Sequence, residues 1–182
     1  TYIKKIQPLY RDANLLQTKN IVIKDAGKAG FTLKNVNQSI DGMIFDYLFL
    51  DKNGRVSLSV SCGKEASGKK TWIELVQESY NWKDFSPGYV RSGKFIDTAQ
   101  NLYLSTVSPT KATNGVKAMR ASLMYKNAPT CSSEIYVTDS KKDKTLYDKA
   151  LAVAKSIKFT NTPKVTTNFV SAFFTANNLP QS

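Results

Sequence analysis

An α+β fold, an antiparallel β-sheet with helices packed on it, is predicted for this 182-residue chain by three observations. Short stretches alternate apolar and polar side chains with the period of a half-buried strand. Turn-forming Gly, Asn and Pro separate these stretches at short intervals. One long amphipathic helix follows the last of them. A chain of this length buries about 70% of the surface its unfolded form exposes. With 41% hydrophobic residues it is far from the composition of disordered chains. No repeat or low-complexity segment divides it, so residues 1–182 are read as a single globular domain.

The elements follow in chain order. YIKKIQPLYRDANLLQ receives no assignment, because Pro8 interrupts its helical spacing. The stretch GMIFDYLFLDKNGRVSLSVSCGK reads as a hairpin. A two-residue turn at Asn53-Gly54 sets Lys52 opposite Arg55, Phe49 opposite Leu58, Tyr47 opposite Val60 and Phe45 opposite Cys62. One face is then wholly apolar, while the other sets Ile44, Asp46, Leu48 and Leu50 against serines. The string Asp51-x-Asn53-Gly54 lacks the later ligands of a calcium loop and is read as a turn. In KKTWIELVQESYNWKDFSPGY, Trp72, Leu75 and Val76 suit a helix, with a strand over TWIELVQ as the competing reading. Four strands are expected next, GYVRSGKF, NLYLSTV, VKAMRASLMY and CSSEIYVTD, separated by the loops SPTKATNG and KNAPT. KDKTLYDKALAVAKSIKF is the helix: Leu146, Ala150, Ala154 and Ile157 share a stripe, Ser140 and Asp143 form a capping-box-like start, and Thr162-Pro163 stops it. The tail VTTNFVSAFFTANNLPQS is assigned a last short helix that returns onto the core, with a partner-binding element as the alternative.

Cys62 and Cys131 are the two cysteines of the chain. Cys62 shares a strand face with Val56, Leu58 and Val60, and Cys131 shares one with Ile135 and Val137, so both sulfurs point toward an apolar layer. A disulfide between them is the simplest account; two reduced thiols acting as small hydrophobes are the alternative. Two sulfurs without histidine cannot make a four-ligand zinc site, so no metal is expected. A disulfide implies an oxidising compartment. No stretch approaches the about 20 apolar residues that span a bilayer, and no signal-peptide core is visible. The start at Thr1 is read as the mark of a removed leader, and an extracytoplasmic place, periplasmic or secreted, is expected.

Histidine is absent, which removes Ser-His-Asp and Cys-His catalysis. No phosphate loop, dinucleotide fingerprint or nucleophile elbow is present, and no cofactor is expected. What remains for an enzyme is a carboxylate pair such as Glu74 with Glu78. The 26 basic and 14 acidic residues give a net charge of +12, which favours anionic partners. The basic residues are spread singly and in pairs, so no specific nucleic-acid site is expected. The segment SYNWKDFSPGY crowds Tyr80, Trp82, Phe85 and Tyr89 around Lys83 and a Ser86-Pro87-Gly88 turn. Aromatic anchors on such a loop suit recognition of a partner, with plugging of the core's edge as the alternative.

RASLMY and CSSEIYVTD, running into the helix YDKALAVAKSIKF with its Ser-Ile-x-Phe strand start, resemble the Mog1/PsbP-like α/β/α sandwich over about residues 88–159. The resemblance implies a non-enzymatic accessory or binding domain and carries over no functional residue. The expected function is therefore that of an exported binding or accessory protein recognising a protein or an anionic envelope component through Tyr80, Trp82, Lys83, Phe85 and Tyr89. The alternatives are a secreted hydrolase using carboxylates alone, or an enzyme inhibitor or immunity protein.

Overall fold

Apolar alternation builds the central layer. In the computed structural model the described residues are 14–18, 20–39, 45–63, 71–81 and 87–160, those of 78–81 by their backbone alone. The expectations for the N-terminal segment before Asn14, for Thr162-Pro163 and for the tail lie outside them. Seven strands form one sheet: β3 (Phe31–Gln38), β4 (Phe45–Asp51), β5 (Val56–Cys62), β6 (Tyr89–Phe95), β7 (Leu102–Pro109), β8 (Met119–Tyr125) and β9 (Ala128–Val137). Their order is β3-β4-β5-β9-β8-β7-β6, every pair antiparallel. Two meanders, β3 to β5 and β6 to β9, thus meet along the β5–β9 ladder. A smaller sheet joins β1 (Leu15–Gln17), β2 (Ile21–Lys24) and β10 (Lys158–Phe159).

The buried alternates of β4 and β5 are Phe45, Tyr47 and Phe49 against Val56, Leu58, Val60 and Cys62, in the register expected from the hairpin. Ala121, Leu123, Tyr125, Ile135 and Val137 continue that face. Helix α2 (Lys144–Lys155) covers it with Ala150, Val153 and Ala154, and Leu16, Ile21 and Ile23 of the small sheet join the same core. Helix α1 (Trp72–Asn81) packs near β7 on the opposite face, where the Trp72, Phe95 and Tyr103 rings succeed one another at 6.5 and 5.3 Å.

Four local expectations are corrected. The hairpin turn is not the two-residue kind. Gly54 N–H donates to the Asp51 carbonyl and Gly54 takes φ 65°, while the Asp51 carboxylate accepts from the N–H groups of Asn53 and Val56. A short acidic side chain that captures the loop amides outcompetes the tighter turn. The segment KNAPT is a turn only at Lys126 and Asn127, since β9 already begins at Ala128. Pro129 sits where the β8–β9 register is irregular, so its missing N–H costs no ladder bond. Ser140 and Asp143 do not form a capping box. Asp143 is the N-cap of α2 but makes no side-chain cap bond, because its carboxylate is taken by Arg55. Helix α2 ends at Lys155, where Ser156 donates its N–H and its hydroxyl to the Val153 carbonyl, and β10 follows at once.

Between the helix and strand readings of TWIELVQ, the helix prevails. Thr71 Oγ1 accepts from the Glu74 N–H while the Glu74 carboxylate accepts from the Thr71 N–H, a reciprocal cap that a strand could not use.

Candidate functional site

Cys62 and Cys131 lie directly opposite each other on β5 and β9 and form the disulfide, with their Cα atoms 4.0 Å apart. The neighbouring Gly63 N–H donates to the Thr130 carbonyl, which leaves the cysteines at a position without ladder bonds, where paired strands approach most closely. The link thus fastens one end of the seam between the two meanders.

The other end of that seam is held by charge. Arg55, just before β5, donates from Nε and Nη2 to the two Asp143 carboxylate oxygens at 2.7 and 2.9 Å. The Arg55 carbonyl also accepts the Thr138 N–H, extending the β5–β9 ladder by one bond. The hydrogen bond from Arg55 first, and its charge after burial is set against it, hold the Asp143 carboxyl below its ordinary range. The same partner raises the Arg55 guanidinium. A carboxylate with a lowered folded pKa contributes stability above its unfolded pKa of about 3.9 and loses it as pH falls through the folded value. Arg55→Met is therefore expected to be less stable than the parent protein at neutral pH, with the gap closing below the usual carboxylate range. Urea midpoints of both proteins across that pH span check this; a gap independent of pH would assign the loss to packing instead.

The remaining described carboxylates are similarly engaged in local structure. Asp139 Oδ1 accepts the Lys141 and Lys142 N–H groups, Asp97 accepts those of Asn101 and Leu102, and Glu74 caps α1. The Glu74 and Glu78 pair lies partly outside the described side chains, and Glu74 is spent on its cap. Among the described residues no group of three or more acidic or cysteine side chains could hold a metal ion.

Of the expected contact residues, Trp82, Lys83, Phe85 and the side chain of Tyr80 lie outside the described residues. Tyr89 opens β6 with 52% of its surface exposed, and Val90 beside it is 51% exposed. β6 is an outer strand of the large sheet and contributes Arg91 and Lys94 but no acid. Val90, a β-branched residue left in water on the other face of the strand from the Tyr89 ring, is the exposed residue that sequence reading missed. The Tyr-Val pair at the strand start was its visible signal.

Among the described residues no helix is long and apolar enough to cross a membrane. No protein-family model matches the chain, and no curated protein matches it. Among solved structures, the solution structure of cyanobacterial PsbP (CyanoP) from Synechocystis sp. PCC 6803 is similar over 80% of this chain and 95% of that one, with 12% sequence identity and a TM-score of 0.40. That neighbour is a PsbP, and Mog1 is not shown; a likeness of that size says nothing about ligand, partner or cellular place.

Proposed function

We propose that this chain is an exported, non-catalytic binding protein that recognises a protein or an anionic envelope component through the segment ending at Tyr89 and the start of β6. The observation that carries this reading is the adjacent exposure of Tyr89 and Val90 on an outer strand whose only charged residues are Arg91 and Lys94. Tyr89 and Arg91 turn to one face of the strand and Val90 and Lys94 to the other, so each side of this sheet edge offers one apolar anchor with a cation that speeds encounter with an anionic partner. Export is supported by the disulfide, which reducing compartments do not sustain. A non-catalytic role is supported by the lack of histidine and by the engagement of the described carboxylates in caps, turns and ion pairs.

The test compares the parent protein with Tyr89→Ala/Val90→Ser in capture from native envelope and culture fluid, and in flotation with anionic and zwitterionic vesicles. Loss of an anchor of about 2 kcal/mol weakens binding more than tenfold, while the melting temperature should not change, because both side chains are exposed. Undiminished binding by a folded double variant would move the contact surface elsewhere.

A further inference from the structure

The face of the large sheet turned away from α2 carries a pattern that the reading above does not use. β9 is the fourth of seven strands, flanked by β5 and β8. Its alternate residues Ser132, Glu134 and Tyr136 turn to this face. The register places Tyr136 between Ser57 and Arg120, Glu134 between Ser59 and Ser122, and Ser132 between Ser61 and Met124. Tyr136 is nevertheless 53% exposed, a large ring left in water at the middle of the sheet. Its neighbours on β5 are short hydroxyl side chains, so the ring stands above its surroundings on that side.

Polar groups border the ring on a regular grid, with neighbouring strands about 4.8 Å apart and alternate residues about 6.8 Å apart. The Arg120 guanidinium donates to the Glu134 carboxylate beside the ring, and both side chains remain open to solvent. Ser59 donates to Asp46 at 3.0 Å one strand further on. Donors and acceptors are therefore held in fixed directions next to an aromatic plane.

The chemistry of this patch selects its occupant. Arg120 is balanced by Glu134, and Asp46 on β4 offsets Arg91 on β6 across the same face, although the chain as a whole is at +12; an anionic ligand gains nothing from net charge here. Among the described residues Tyr136 is the one large exposed apolar side chain on these central rows; Leu48 and Leu50 of β4 and Val107 of β7 share the face but are half-buried and set apart from the ring by Ser59, Ser57 and Arg120, so the exposed apolar surface here centres on a single ring and is small for a protein interface. A neutral polyhydroxyl ring fits both constraints. Its C–H face stacks on an aromatic plane, and its hydroxyls, each donor and acceptor, match guanidinium, carboxylate and serine groups. We infer that this face binds a neutral carbohydrate, with one sugar ring stacked on Tyr136 and its hydroxyls bonded to Arg120, Glu134 and the adjacent serines. The Arg120–Glu134 pair already holds its geometry, which lowers the ordering cost of binding.

The test titrates the oxidised, full-length protein with a soluble cello-oligosaccharide, a soluble chito-oligosaccharide and, as an anionic counter-probe, a heparin fragment, followed by amide NMR. The expected result is that at least one neutral oligosaccharide at millimolar concentration shifts the amide signals of Ser57, Arg120, Glu134 and Tyr136. Tyr136→Ala should weaken that binding at least about tenfold, and Tyr136→Trp should restore it, at unchanged melting temperature. No shift with either neutral oligosaccharide, shifts that survive Tyr136→Ala, or shifts with heparin alone would each overturn the assignment. None of these outcomes bears on the Tyr89 surface, which lies on a different strand.

Discussion

Replacing Cys62 and Cys131 together by alanine is expected to lower the stability of the oxidised protein by about 2–5 kcal/mol. The sequence separation of 69 residues corresponds to about 4 kcal/mol on the chain-entropy account. The position of the link argues for a value at the upper end. Within each meander every strand pairs with its sequence neighbour, so those ladders close short loops. The β5–β9 ladder, from Val56 opposite Val137 to Cys62 opposite Cys131, instead brings together strands distant in sequence and must bear the larger loop cost. The disulfide fastens one end of this ladder, and the Arg55–Asp143 pair with the Thr138 to Arg55 bond fastens the other. Alanine is the informative replacement, because both sites are buried and serine would add an unpaired hydroxyl. Urea unfolding of the oxidised parent and the double variant measures the effect, and intact mass without reductant shows whether the bond is formed. A loss below about 1 kcal/mol would mean that the ladder and α2 hold the seam without covalent help.

How much of this was legible in the sequence depends on the range over which each feature is encoded. The hairpin register of β4 and β5 was readable, because Phe45 to Phe49 and Val56 to Cys62 each alternate without interruption and share one loop. Strands β6 to β9 were readable for the same reason. The turn at Asp51 was misread because an aspartate side chain, not the Asn-Gly pair, decides it. β1 and β10 span three and two residues, too few for any period to show. β3 changes face partway, since its register shifts between Leu33 and Asn35, and this breaks the alternation that would have marked it. Of the small sheet only the strand start at Ser156-Ile157-x-Phe159 was visible, through the family resemblance, and β1 and β2 were not. The Thr71 to Glu74 cap was present as a local signal and would have decided α1. For the candidate surfaces the limits are different. Tyr89 stood out by composition, whereas the patch around Tyr136 needs β5, β8 and β9 in register, and no local pattern carries that information.

The second large effect is expected at Tyr125, where four elements meet. Its ring is fully buried at the end of β8 and meets the Phe159 ring of β10 edge-on at 4.8 Å. Its hydroxyl donates to the Ala154 carbonyl in the last turn of α2 at 2.8 Å and shares a short hydrogen bond with the buried Ser133 hydroxyl of β9. Burial drives the phenol well above its ordinary pKa, so it stays a neutral donor throughout the working pH range. Tyr125→Phe keeps the ring but leaves the Ser133 hydroxyl short of a partner in an apolar layer and removes one of the donors to the Ala154 carbonyl, which keeps the Ile157 N–H at 3.4 Å, a loss of about 1–3 kcal/mol. Tyr125→Ala adds a cavity and removes the ring contact, and a loss of about 3–5 kcal/mol is expected. The contrast between the two separates hydrogen bonding from packing. Adding Ser133→Ala to Tyr125→Phe removes the stranded hydroxyl, and should recover part of the first loss if desolvation is its cause. Urea midpoints for the two single variants and the combined one measure all three quantities. A phenylalanine variant as stable as the parent would show that α2 is anchored to the sheet by its apolar stripe alone, with the Ala154 bond contributing nothing.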